Sequence, residues 1–187
     1  KLVVAQETEE FLRTAAEGAD YVICPDGLGL RLNTEAYVPL AAGRRTAPRN
    51  LRPRCVMVYR QSAGRSDAPW IEHPGRTVFG DSVSLSATGA LRTDESGTPG
   101  GLPPECSAGP DPYDHGPVLH ALRLGGFDYA IVRQWDAERF FTEKLLPGDE
   151  WSMEILTGPV PDMTLFASRE IPASRLLDVG GELTQLG

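Results

Sequence analysis

The sequence has 187 residues, of which 41% are hydrophobic and 24% charged, and its net charge is −8. This composition excludes a disordered chain, and the length is in the range of one domain or two small lobes. A negative surface disfavours nucleic acid and anionic membranes as partners, because phosphate binding needs clustered cations. The one basic stretch, five arginines between positions 44 and 54, is typical of a solvated loop. No apolar run approaches the roughly 20 residues that a membrane-spanning helix needs.

Short apolar runs alternate with amphipathic stretches along the chain, which predicts an α/β fold. In the first third we expect strands at Leu2–Ala5, Tyr21–Cys24 and Cys55–Tyr59. A helix is predicted over Glu7–Glu17, with Gly18 as its stop. A second, short or kinked helix is expected to begin at Asn33-Thr34 and to carry Tyr37, Val38 and Leu40, with Pro39 inside it.

The rest of the chain continues the alternation after a loop rich in Gly, Ser and Pro. Further strands are predicted at Arg76–Phe79, Phe127–Val132, Trp151–Leu156 and Met163–Ala167. Helices are predicted from Asp114 to about Leu124, from Asp136 to about Leu145, and weakly over Ile171–Leu186. The longest irregular segment is Thr93–Tyr113.

Cysteine spacing excludes the common metal and redox motifs. Cys24, Cys55 and Cys106 form no C-x-x-C pair, so neither a zinc knuckle nor a thioredoxin motif is available. No histidine pair has metal-ligand spacing, and no nucleophile elbow is present. We therefore expect no metal and no cofactor.

Three short segments can carry chemistry. Ser and Thr residues after the strand Arg76–Phe79 place hydroxyls and backbone N–H groups at a predicted helix start, which suits an oxyanion; ordinary N-capping by Ser84 or Ser86 is the alternative. His115 stands at another predicted helix start. Arg133 follows the strand Phe127–Val132, where ligands gather in open α/β sheets, although a surface salt bridge explains an arginine there equally well.

Three stretches resemble the periplasmic solute-binding proteins of the phosphate/phosphonate-type ABC transporters. Gly18-Ala19-Asp20-Tyr21-Val22-Ile23, with Pro25 and Tyr37 after it, is similar to the family's G-x-x-D strand and first-lobe ligand loop. Gly75–Asp81 with Ser84-Leu85-Ser86 resembles its G-K-x-V-x-F-x-D-P-x-S-x-S-G segment. Asp114-His115, followed by His120-Ala121-Leu122 and Gly125–Ala130, resembles S-H-x-x-x-x-x-A-L-x-x-G-x-x-D-A-A.

The resemblance implies the two-lobe, type II periplasmic-binding-protein fold. Lobe one would comprise residues 1–58 and 160–187 and lobe two residues 59–159, with a small oxyanion clamped between them by hinge closure. Because the chain begins at Lys1 without a signal peptide, at what resembles the second strand of lobe one, we expect that lobe to be the less complete one. The implied partners are an ABC permease or a sensor kinase, and the implied location is the periplasm or another extracytoplasmic compartment, with or without a lipid anchor.

The family's ligand-binding roles carry over to particular residues of this sequence. The resemblance implies oxyanion-binding roles for Ser84, Ser86 and His115, and it makes Tyr37 of the first-lobe loop a candidate. Thr88, and Arg133 at its strand end, complete the predicted ligand-binding set. Two departures from the pattern are Leu85, where the family often has Thr, and Ser82, where it has Pro.

Two alternatives stay open at this stage. Cys24 ends a strand that faces the expected cleft and would suit arsenite, as in a sensory branch of the same family, although a buried Cys is more often a small core residue. An enzyme on the same fold, of decarboxylase or dehydratase type, would need a cleft acid or base from Asp26, Asp81, His115 or Glu138. No pairing among these four is visible in the sequence, so we expect no catalytic residue.

Overall fold

The structure is a computed structural model that describes residues 8–29, 32, 35–43, 54–84, 102–111, 114–158 and 163–185. The chain divides into two compact units, Lys1–Arg45 with Asp162–Gly187 and Thr46–Pro161. The expected strand Leu2–Ala5 lies outside the described residues. Cys55–Val58, which the sequence assigned to the first lobe, pair with strands of the second unit.

The described residues contain eight strands: β1 (Tyr21–Pro25), β2 (Tyr37–Gly43), β3 (Cys55–Arg60), β4 (Thr77–Phe79), β5 (Ser107–Ala108), β6 (Tyr129–Arg133), β7 (Trp151–Ile155) and β8 (Met163–Ser168). They also contain six α-helices: α1 (Thr8–Ala16), α2 (Asp26–Gly29), α3 (Pro69–Glu72), α4 (Gly116–Arg123), α5 (Gln134–Thr142) and α6 (Ala173–Gln185). The helix start predicted near Ser84 and Ser86 continues into residues outside the described ones. Apart from that helix, β2 and Leu2–Ala5, each predicted strand and helix is confirmed to within about two or three residues at its ends.

The first unit holds a three-stranded sheet in the order β1-β8-β2, with both pairs antiparallel. The helix expected around Tyr37 is wrong, because these residues form β2. Tyr37 and Val38 have side chains that favour strands, and β2 lies at the edge of the sheet, where Pro39 is tolerated although it has no N–H. The register shifts between Pro39 and Ala41, so the proline sits at a bulge.

The second unit holds a five-stranded mixed sheet in the order β5-β4-β6-β3-β7. β4 runs parallel to β5 and β6, whereas β3 runs antiparallel to β6 and β7. Alternate residues of the central strands pack on opposite faces. Val56, Val58 and Val132 belong to the core that α4 and α5 cover. Met57, Phe79 and Ile131 belong to a second cluster. Burial on both faces explains why these strands are continuous apolar runs.

The helix α4 begins two residues later than predicted. His115 is its N-cap residue, and the Asp114 carboxylate accepts a hydrogen bond from the N–H of Gly116 at 2.9 Å. Its end is as expected, since Gly125 follows the helix with a φ of +82°, a conformation that glycine adopts readily. The Asp114 carboxylate and Gly125 therefore define the two ends of α4.

No helix among the described residues is long and apolar enough to cross a membrane.

Candidate functional site

The carboxyl ends of β4 and β6 bring three polar segments of the second unit together. Because the two strands are parallel neighbours, they end at the same edge of the sheet. Gly80 and Asp81 follow β4 directly, and Arg133 is the last residue of β6. His115, at the start of α4, lies between them and bonds to both. This is the edge where open α/β sheets place their ligands.

Asp81 is the centre of the polar group. Its side chain is buried, and one carboxylate oxygen accepts the backbone N–H groups of Val83 and Ser84, each at 2.6 Å. The other oxygen accepts the Ser84 hydroxyl at 2.5 Å and His115 Nε2 at 2.8 Å. Burial by itself raises the pKa of Asp81, but the hydrogen bonds from His115, Ser84 and the Val83 amide outweigh it and hold the pKa below its usual range. Asp81 is therefore a carboxylate at neutral pH.

The bonds of His115 define its tautomer. The imidazole is fully buried, and its Nδ1 lies 3.1 Å from the backbone N of Arg133. A backbone N–H can only donate, so Nδ1 is the acceptor and Nε2 carries the proton that Asp81 accepts. The ring also packs against Gly80, where a Cβ atom would lie 2.4 Å from Nδ1. The glycine is thus needed for this close approach.

Arg133 carries the positive charge of the group. Its side chain is fully buried, and Nε donates a hydrogen bond to Asp136 Oδ2 at 3.2 Å. The guanidinium carbon lies 5.3 Å from the centre of the Trp135 ring. The same Asp136 oxygen lies 3.7 Å from His115 Nδ1. The guanidinium is therefore positioned by the carboxylate of Asp136 and the ring of Trp135, both in the first turn of α5, which follows Arg133.

The hydrogen-bond pattern does not make a nucleophilic relay. In a serine nucleophile the hydroxyl would donate to the imidazole. Here the Ser84 hydroxyl and His115 Nε2 both donate to Asp81, so the hydroxyl proton lies on a carboxylate and not on the imidazole. The geometry is that of a fixed polar scaffold, which suits binding better than acid–base chemistry.

Three of the residues proposed from the sequence come together here: Ser84, His115 and Arg133. Ser86 and Thr88 lie outside the described residues. Asp136 is an addition that the sequence reading missed, whereas Trp135 lies in the segment Arg133-Gln134-Trp135 that the sequence singled out, without its contact to the guanidinium. The spacing of Arg133 and Asp136, three residues apart at a helix start, was the available signal for their ion pair.

Tyr37 belongs to the first unit, and its hydroxyl is hydrogen-bonded within that unit. Its ring is buried, and its hydroxyl lies 2.7 Å from the carbonyl oxygen of Ala15 and 2.9 Å from that of Ala19. Burial raises the pKa of this phenol. The hydroxyl thus connects β2 to the end of α1.

Cys24 also belongs to the first unit. It lies on β1 opposite Thr164 of β8 and is 1% exposed. All three cysteines are among the described residues, and none forms a disulfide. In the described parts of the chain, no three His, Cys, Asp or Glu side chains are grouped to hold a metal ion.

Comparison with known proteins gives similarity of structure only. No family model matches the chain, and no curated protein does. Two solved structures of XAC2383 from Xanthomonas citri, bound to ATP and to a chloride ion, are each 15% identical to it, with TM-scores of 0.61 and 0.55. They match 99% and 95% of this chain, which spans 70% and 66% of theirs.

A binding-protein component of an ABC phosphonate transporter, PA3383 from Pseudomonas aeruginosa, is also similar. It is 10% identical, with a TM-score of 0.49, and the match covers 94% of this chain and 60% of that one. The two XAC2383 structures, with TM-scores above 0.5, show that the chain has an α/β, two-lobe fold like that of type II periplasmic binding proteins.

Proposed function

We propose that the chain is a non-enzymatic solute-binding domain, and that it holds the oxyanion group of a small solute at the edge where β4 and β6 end. The observation that carries the proposal is Arg133, a buried guanidinium at the carboxyl end of a central strand. The periplasmic-binding-protein fold supports a binding role, since proteins of this kind clamp solutes by hinge closure.

Arg133 suits an oxyanion because its guanidinium is planar, always charged and held in place. Two parallel N–H groups of such a fork match phosphonate, phosphate or carboxylate oxygens. Asp136 and Trp135 fix the orientation before any solute arrives, which lowers the entropic cost of binding. Burial strengthens the attraction, because little water screens the charge.

The immediate surroundings limit the charge of the solute. Asp81, Asp136 and Arg133, with a neutral His115, sum to a net charge of −1. A multiply charged anion would be repelled by two carboxylates, whereas a monoanion or a zwitterion would meet less opposition. The proposed solute is a small phosphonate-like or phosphite-like anion in its singly charged form, with amino acids as the class to be compared against it.

The roles that remain for other residues follow from their bonds. We assign the direct contact to Arg133 because of its charge and planar fork, and we assign Ser84 and His115 to the hydrogen bonds within the protein described above. Ser86 and Thr88 remain proposed contacts. We further propose that the domain acts outside the cytoplasm and delivers its solute to an ABC permease or reports it to a sensor kinase.

Isothermal titration calorimetry with a panel of solutes tests the proposal. The panel is phosphite, methylphosphonate, phosphate, sulfate, arsenite and an α-amino acid. We expect saturable binding of at least one phosphorus oxyanion. Binding of arsenite that Cys24→Ser abolishes would instead establish the sensory alternative. Binding of none of the panel would refute the oxyanion assignment, and turnover of a carboxylic acid substrate would favour an enzyme.

A further inference from the structure

We propose that His115 is a positioning residue. It holds the Arg133 backbone at the end of β6 through the hydrogen bond from the Arg133 N–H, and it does not itself contact the solute. The role of Arg133 as the solute-binding group rests on the function proposed above. The position of His115 rests only on the bonds within the protein.

The first argument is that both ring nitrogens of His115 are engaged by groups from two different strands. Nε2 donates to Asp81, the second residue after β4, at 2.8 Å. Nδ1 accepts the Arg133 N–H, at the end of β6, at 3.1 Å. A solute oxygen could bond to His115 only by displacing one of these partners.

The second argument is that the tautomer is enforced from both sides. Asp81 is a pure acceptor in its carboxylate form and needs the proton on Nε2, while the Arg133 N–H is a pure donor and needs the bare Nδ1. In the other tautomer, the bare Nε2 would face the Asp81 carboxylate, so that two acceptors meet. The protonated Nδ1 would face the Arg133 N–H, so that two donors meet. The imidazole thus joins the ends of β4 and β6, with a donor fixed on the β4 side and an acceptor fixed on the β6 side.

The third argument is that the fit around the ring is too close for the ring to move. Gly80 has no room for a Cβ, which would lie 2.4 Å from Nδ1. Gly109 is equally tight against Gly80, since its Cβ would lie 2.2 Å from the Gly80 carbonyl oxygen. The two glycines therefore allow the backbone at Gly80 to pack directly against the His115 ring. The ring in turn holds Arg133 through its hydrogen bond to the Arg133 N–H.

A matched pair of substitutions separates the two bonds. In His115→Asn the amide oxygen replaces Nδ1 and keeps an acceptor for the Arg133 N–H, whereas the donor to Asp81 is lost. In His115→Gln the amide nitrogen replaces Nε2 and keeps the donor to Asp81, whereas the acceptor is lost. Each variant removes one buried hydrogen bond, so a merely structural role predicts that the two behave alike. His120→Gln, an exposed histidine on α4, is the control.

The readouts are hydrogen exchange of the Arg133 amide and calorimetric affinity for methylphosphonate and phosphite. We expect His115→Gln to speed exchange of this amide at least about tenfold and to weaken solute binding about tenfold, the equivalent of one lost hydrogen bond. His115→Asn should change each by less than about threefold relative to the His120→Gln control. Equal effects of the two variants on Arg133 exchange would overturn the proposal.

Nitrogen NMR of the imidazole in the unmodified protein gives a test that does not depend on the variants folding. The expected spectrum shows a protonated Nε2, a bare Nδ1 and a hydrogen-bond coupling from the Arg133 amide to Nδ1. A proton on Nδ1 at neutral pH would overturn the proposal. If none of the solutes binds, the proposed function fails, while the exchange and NMR results still decide the position of His115.

Discussion

Replacing Asp81 with asparagine tests the polar group at its centre. The asparagine oxygen can keep the two backbone N–H groups of Val83 and Ser84. Its NH₂ group then faces the Ser84 hydroxyl and the Nε2–H of His115. The hydroxyl can rotate to accept a hydrogen bond, but Nε2 must keep its proton because Nδ1 accepts the Arg133 N–H. One charge-assisted bond is lost and one buried donor is left opposed, so we expect a loss of about 3–5 kcal/mol in the free energy of unfolding.

The pH dependence of this loss is a second part of the same prediction. The pKa of Asp81 is lowered in the folded protein, so its stabilisation is present above the ordinary carboxyl range, near pH 4, and is lost as the pH falls through the folded value. The difference in the free energy of unfolding between wild type and Asp81→Asn should therefore be largest at neutral pH and should become smaller below about pH 4.

Urea unfolding at neutral pH and at about pH 3 measures both effects. Asp114→Asn is the matched control, because that carboxylate is 54% exposed and caps α4. The control should cost less than about 1 kcal/mol. An Asp81→Asn loss no larger than that of the control, or a loss that does not change with pH, would refute the reasoning.

Three further changes follow from single contacts. Gly80→Ala should cost about 1–3 kcal/mol and shift the imidazole resonances of His115, because the new Cβ would overlap the ring; unchanged resonances would contradict the close approach. Tyr37→Phe should lower the stability of the first unit by about 1 kcal/mol by removing the hydroxyl from the Ala15 and Ala19 carbonyls, whereas Tyr59→Phe serves as a comparison in the second unit. Cys24, at 1% exposure, should be modified by iodoacetamide much more slowly than the partly exposed Cys106 in the native protein, and equal rates would show that Cys24 is accessible.

Much of the fold could be predicted because local patterns and tertiary packing agree. The central strands of the second unit are buried on both faces, so β3 and β6 stand out as continuous apolar runs. β2 was missed because Asn33-Thr34 indicates a helix start locally, and Pro39 was interpreted as a residue that would shorten or kink that helix. Its strand conformation depends on pairing with β8, more than 120 residues later in the sequence, which no local pattern shows.

The members of the site were easier to predict than their roles. Ser84, His115 and Arg133 each follow a strand or begin a helix, so the sequence places them near ligand positions. Which atoms bond to which depends on the parallel pairing of β4 with β6 and on the glycine that lets the ring approach. The sequence therefore indicated a solute contact for His115 where the structure shows internal bonds.

The most direct test of the central claim compares Arg133→Lys with Arg139→Lys by calorimetry, using the phosphorus oxyanion that the wild type binds best. Lysine keeps the charge but loses the planar fork, and Arg139 lies nearby on α5 with a half-exposed side chain. Circular dichroism and urea unfolding establish that both variants are folded. If Arg133 holds the solute, Arg133→Lys weakens binding at least about tenfold and Arg139→Lys leaves it within about twofold. Equal affinities in the two folded variants would contradict the account.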